Sequence, residues 1–205
     1  MSFNKKKSAS YLWSLGSILF FLAIVLFVFV YQPSSGTDAD KTHQIISNWA
    51  LVSTIWRIET IAAVLLCVSS WYMATVKQSI SWFLITFAHV VMIIMYANML
   101  GSYAVAAEVY NESPSLFPMI NNKAVWVFGF SNLLFFSGLT GIYYTNEVLS
   151  TWLSWTGSII SFVGVIGSLA LFFELITFGD LNIGGPLVLI LYLLNAYLGF
   201  KLAKE

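Results

Sequence analysis

Apolar residues run almost unbroken through six segments of the chain, about 11–31, 47–73, 81–106, 124–145, 152–177 and 186–202. At a rise of about 1.5 Å per residue, each is long enough to traverse or nearly traverse a hydrocarbon core of about 30 Å as a helix. Turn-forming clusters separate them: Gln32-Pro33-Ser34-Ser35-Gly36, Glu112-Ser113-Pro114, Gly179-Asp180 and Gly184-Gly185-Pro186. The pattern predicts an all-α polytopic membrane protein, a six-transmembrane-helix bundle forming one domain over residues 1–205. Three lysines precede the first segment, as in a secretory signal. Its apolar run of about 20 residues ends in Phe29-Val30-Tyr31-Gln32-Pro33 without a small-x-small cleavage site, so it reads as a retained anchor.

Composition makes lipid the required solvent. Hydrophobic residues are 59% of the 205, charged residues only 9%, and the mean hydropathy is +0.84. So few charges could not cover a soluble surface, since soluble domains carry about 25%. Net charge is zero and the longest basic run is Lys5-Lys6-Lys7, so nucleic acid is not an implied partner, whereas membrane lipids are. The single cysteine, Cys67, lies within a span and precludes an intrachain disulfide.

Basic residues set the expected orientation. With the N-terminus in the cytoplasm, Lys5, Lys6, Lys7, Lys77, Lys201 and Lys204 lie inside, and only Lys41 and Lys123 lie outside. This predicts a multi-pass protein of the cytoplasmic (inner) membrane with both termini cytoplasmic. Trp49, Trp82, Trp126, Trp152 and Trp155 fall near span ends, where an indole can keep its N–H wet. The inner connections near 74–80 and 146–151 are minimal. The outer ones, 32–46, 107–123 and 178–185, are longer and can either frame a site or serve as solvated connectors. Gly157, Ser161, Gly164 and Ser168 in the fifth span, and Ser137 and Gly141 in the fourth, form small-residue stripes for close helix packing.

Charges inside spans are the chemical signal. Counted from Trp49, Arg57 lies about 12 Å and Glu59 about 15 Å deep. Counted from Phe178, Glu174 lies about 6 Å deep, and Asn98, Asn132 and Asn195 lie between about 10 and 14 Å. Arg57 and Glu59 point about 160° apart on one helix and cannot pair. An Arg57–Glu174 ion pair between spans two and five is therefore expected. The second span is expected to face the interior through Ser53, Thr60, Ala63, Cys67 and Ser70, and lipid through Leu51, Ile55, Ile58, Ala62, Leu65 and Leu66. In the third span His89, Tyr96 and Tyr103 recur every seven residues with Met92 and Met99 alongside. Such a face can line a cavity or move a proton, or it can simply be packed.

Several chemistries lack their residues. His43 and His89 are the only histidines, which leaves no bis-His haem pair or histidine-rich metal site. No lysine lies mid-span, and no nucleophile elbow, C-x-x-C, P-loop or H-E-x-x-H occurs. No catalytic residue, metal ligand or cofactor is assigned.

The segment Ser53-Thr54-Ile55-Trp56-Arg57-Ile58-Glu59, the order of six spans, and Gly141-Ile142-Tyr143-Tyr144 followed by Leu153-Ser154-Trp155-Thr156-Gly157 resemble the small bacterial membrane proteins of domain-of-unknown-function family 4386. The resemblance covers nearly the whole chain and implies a six-span fold. The family has no established activity, so no residue role is carried over.

The expected function is binding or transport of a small molecule, lipid or ion through an outward-facing intramembrane polar pocket built from Arg57, Glu59, His89, Tyr96, Asn98, Tyr103, Asn132 and Glu174. Second in order is a non-catalytic subunit or stabiliser of a larger membrane complex, its charges pairing with partner membrane subunits. Third is a membrane-embedded enzyme using a glutamate and His89 as acid and base; the depths of His89 and Glu174 argue against that pair.

Overall fold

The computed structural model describes residues 4–32, 36–146, 148–176 and 185–205. The apolar segments are helices: α1 (Lys5–Val25, continued by a π-helical turn, Leu26–Tyr31), α3 (Trp49–Lys77), α4 (Ile80–Glu108), α5 (Leu116–Tyr144), α6 (Thr151–Phe172) and α7 (Gly185–Leu202). These six are long and apolar enough to cross a bilayer, so the chain is a multi-pass membrane protein. The predicted loop at 178–184 and Pro33-Ser34-Ser35 lie outside the described residues.

Local chemistry moves three boundaries from those hydropathy suggests. The first outer connection contains a helix, α2 (Asp38–Ser47), opened by a capping box. Thr37 N–H and Thr37 Oγ1 donate to Asp40 Oδ2 at 2.8 and 2.7 Å, and Asp40 N–H donates back to Thr37 Oγ1 at 3.3 Å. The side-chain and then the backbone hydrogen bond from Thr37 hold the Asp40 carboxyl below its usual range. Helix α5 begins at Leu116 rather than near 124 because Pro118 sits in the first turn, where its missing N–H is not needed. Asn121, Asn122 and Lys123 thereby become helical. Helix α6 stops at Phe172, short of the expected 177. Glu174 takes a left-handed φ of 57°, and its N–H donates to Leu171 O at 3.0 Å while Leu175 N–H donates to Ala170 O at 2.8 Å. That pair of bonds is a Schellman stop.

The spans follow one another around a ring in the order α1, α3, α4, α5, α6, α7, with α6 resting only lightly on α7. Helix α2 lies against α3, α4 and α5 at the end opposite the termini. In this order α3 and α6 occupy opposite extremes. Near the termini the centre is filled by long side chains: Trp13 meets Trp82 edge-on at 4.9 Å, and Tyr143 OH donates to Asn195 Oδ1 at 2.8 Å. Asn195 thus belongs to this packed half.

Without water between helices, close backbone approach and polar contacts hold them together. Ser14 Oγ donates to Ala196 O at 2.9 Å, Ser69 Oγ to Ala9 O at 2.7 Å and Ser131 Oγ to Ala88 O at 2.8 Å, each joining two spans. A Cβ at Gly138 would fall 2.6 Å from both Ser81 O and Ile85 Cγ1, so only glycine lets α5 approach α4 there. The stripe on α6 packs as expected. Gly157 and Gly164 rest on the rings of Tyr143 and Phe136, and Ser161 and Ser168 are buried.

Two expectations about faces are corrected. Trp82 is not at the wet boundary but 3% exposed against Trp13. On α3, Ile55, Ala62 and Leu66 are buried, and the exposed stripe is Thr54, Arg57, Ile61, Val64, Val68 and Trp71. The reason is that α1 and α4 flank α3 and take up its Ala62, Ala63, Leu66, Ser69 and Ser70 side. Gly16 of α1 seats directly against Leu66.

Candidate functional site: an intramembrane cavity

Away from the termini the spans are not filled to the centre. A cavity of about 970 Å³ runs from the α2 end to mid-bundle. All six spans and α2 contribute to its wall. At its rim stand Lys41, Asn122 and Glu174, and deeper in are Tyr96, Tyr192 and Glu59. The π-helical turn ending α1 supplies Phe27 and Tyr31 to the wall. Such wide turns recur near functional sites because they reorient side chains.

Glu59 is the chemical centre of this space. Only 9% of it is exposed, and it lies about 15 Å along α3 from Trp49, near mid-membrane. The Tyr96 hydroxyl, from α4, is within hydrogen-bonding reach of its carboxyl, and Tyr192, from α7, lies nearby. Among the described residues no lysine, arginine or histidine forms an ion pair with Glu59; the ion pairs found there are Lys6–Glu205 and Lys41–Asp38, both at 3.6 Å.

The upper wall is organised by α4 and α5. Tyr103 OH donates to Asn121 Oδ1 at 3.0 Å, and the Tyr103 ring stands edge-on to Trp56 at 5.1 Å and to Phe117 at 5.7 Å. Asn132, also on the lining, donates from Nδ2 to Phe128 O at 3.0 Å in its own helix. Met92, Met95 and Met99 complete the α4 side.

The structure therefore brings together Glu59, Tyr96, Tyr103, Asn132 and Glu174, and leaves out Arg57, His89 and Asn98. Arg57 is exposed on the outer stripe of α3, on the side away from Glu59. The expected Arg57–Glu174 pair does not form: α3 and α6 stand at opposite extremes of the ring, and Glu174 is exposed beyond the end of α6. Asn98 is also exposed, with its Nδ2 donating to Ile94 O at 2.9 Å. His89 is 1% exposed, held by Ile85 O at 2.8 Å from Nδ1 and flanked by Phe20 and Phe135. Its Nε2 has no hydrogen-bond partner among the described residues. Phe20 lines the cavity, so His89 stands behind that ring.

Sequence reasoning missed Trp56, Asn121 and Tyr192. Only Asn121 had a readable signal, in Leu116-Phe117-Pro118, a helix start with proline in the first turn.

No protein-family model, curated protein or solved structure matches the chain.

Proposed function

We propose that this membrane protein binds or transports a small molecule, lipid or ion through the cavity, whose mouth at the α2 end faces outward. The observation that carries the reading is Glu59, a buried carboxyl without a protein cation among the described residues, set in a space of drug-sized volume. A closed structural bundle gains nothing from such a group, because taking a carboxyl out of water costs free energy whether it stays charged or takes up a proton. His89 does not line the space that Glu59 lines, so the glutamate–His89 pair named for an enzyme has no support among the described residues. The resemblance to family 4386 adds no activity to this reading.

A second reading, a subunit of a larger membrane complex, is favoured by one feature. Arg57 lies among exposed apolar side chains without an ion-pair partner among the described residues, where an acidic group of another subunit could meet it.

Cysteine reactivity tests the first reading. In a Cys67→Ser background reconstituted in nanodiscs, Met99→Cys and Asn132→Cys should react readily with N-ethylmaleimide. Ser161→Cys, in the packed α5–α6 contact, should resist it. Equal resistance at all three positions would remove the cavity from consideration. On intact cells, an impermeant maleimide should label Asp38→Cys and spare Lys204→Cys, an exposed position at the terminal end; the reverse would turn the mouth inward.

A further inference from the structure

We infer that the ligand of this cavity is an organic cation, an ammonium-type centre seated against Glu59 with its apolar substituents on the surrounding aromatic and thioether side chains. The inference rests on the cavity reading above and adds the ligand's chemical class.

Charge comes first. Among the described residues, the lining groups that bear formal charge are Glu59 and Glu174 against Lys41, and Lys41 is already 3.6 Å from Asp38. An anionic solute would meet an acidic excess, with no cation beside the deepest group. A carboxyl in low dielectric ionises when a counter-charge meets it, and with no lysine, arginine or histidine paired to it among the described residues, a cationic guest is what can bring one.

Size and ligand type then favour an organic guest over calcium or magnesium. A water molecule occupies about 30 Å³ of liquid, so a cavity of about 970 Å³ has room for a guest far larger than a single inorganic ion. Calcium and magnesium need about six oxygen ligands, whereas no group of three His, Cys, Asp or Glu side chains converges among the described residues.

The walls supply what an organic cation uses. Trp56 and Tyr96 bring aromatic rings from α3 and α4, the stacked pair Phe20–Tyr192 (5.2 Å) brings two more from α1 and α7, and Met92 and Met95 offer polarisable sulfur. Aromatic rings grouped with one carboxylate are the chemistry that recognises alkylammonium groups, because the ring quadrupole attracts a desolvated cation that hydrogen bonds cannot reach. A free lipophilic cation and the trimethylammonium headgroup of phosphatidylcholine share this chemistry.

The test uses two ions of one shape. Tetraphenylphosphonium and tetraphenylborate are added during N-ethylmaleimide labelling of the Asn132→Cys and Met99→Cys proteins in phosphatidylglycerol nanodiscs. The cation should slow labelling about tenfold or more, while the anion leaves it unchanged. Glu59→Gln should abolish protection, and Glu59→Asp, which restores the charge, should retain it. Matching labelling rates without either ion would show that the variants fold. Equal protection by both ions, protection that survives Glu59→Gln, or no protection by the cation would each overturn the cation assignment. Because the cysteines would still react, those results leave the cavity itself standing. Loss of N-ethylmaleimide reactivity alone would instead strike the cavity reading. Slower labelling in phosphatidylcholine discs, reversed by Glu59→Gln, would identify the headgroup as the source of the cation. Rates independent of lipid would identify a free solute.

Discussion

A double-mutant cycle on Arg57 and Glu174 decides which side of α3 faces the bundle. Were the two a buried ion pair, removing either would strand the other in low dielectric, at a loss of roughly 3–5 kcal/mol. The geometry gives a different magnitude. Arg57 is exposed and without an ion pair among the described residues, and Glu174 is exposed beyond the end of α6. Neither side chain is shielded, and their helices stand at opposite extremes of the ring. Arg57→Ala should therefore change stability by no more than about 0.5 kcal/mol, as expected at surface positions away from special features. It should be neutral or slightly favourable, since it removes a cation from a lipid-facing stripe. Glu174→Gln leaves the Schellman hydrogen bonds of the backbone intact and should be equally mild. Distant sites add to within about 0.5 kcal/mol, so the coupling energy should be near zero. Reversible unfolding in mixed micelles, monitored by tryptophan fluorescence, measures all four corners of the cycle. A coupling energy above about 1 kcal/mol would show that the two side chains meet, and a ring with α3 and α6 at opposite extremes could not stand.

Two further expectations concern packing and capping. Gly138→Val should destabilise the bundle by about 1–3 kcal/mol, because its Cβ would strike Ser81 O and Ile85. Gly101→Ala, with nothing within 4 Å, should be neutral or stabilising, and equal melting temperatures for the two variants would refute the close α4–α5 approach. The capping box of α2 should depend on pH. Since the Asp40 carboxyl is held below its usual range, its support of the helix is present above the ordinary carboxylate range and lost as pH falls through the depressed value. Amide exchange over 38–42, corrected for intrinsic rate, should show α2 opening in acid, and Asp40→Asn should remove that dependence; an unaltered profile in the variant would assign the effect elsewhere.

The spans were legible because the cost of placing side chains in hydrocarbon is a sum over a local window. The small-residue stripe on α6 was legible for a related reason: glycine and serine at helical spacing have few uses other than close approach. The α4 face bearing Tyr96 and Tyr103 could also be seen, since seven-residue recurrence places side chains on one side of any helix. The orientation of α3 was not legible. Its two faces are nearly equally apolar, and lipid and protein interior are alike as solvents, so amphipathicity does not separate them. Small residues lie on both flanks of Glu59, and assigning Arg57 to the same pocket as Glu59 puts the arginine on the wrong side.

From the sequence alone, then, follow the class of the protein, the number of its spans and the presence of a carboxyl near mid-membrane, all consequences of local composition and helical rise. Tertiary structure alone decided that Glu59 faces inward and Arg57 outward, that α3 and α6 stand apart, and that Trp56, Asn121 and Tyr192 share a cavity with Glu59. Those facts depend on which helices are neighbours. Neighbours are chosen by the fit of whole surfaces, Gly138 on Ser81 or Gly16 on Leu66, and no window of one helix contains that information.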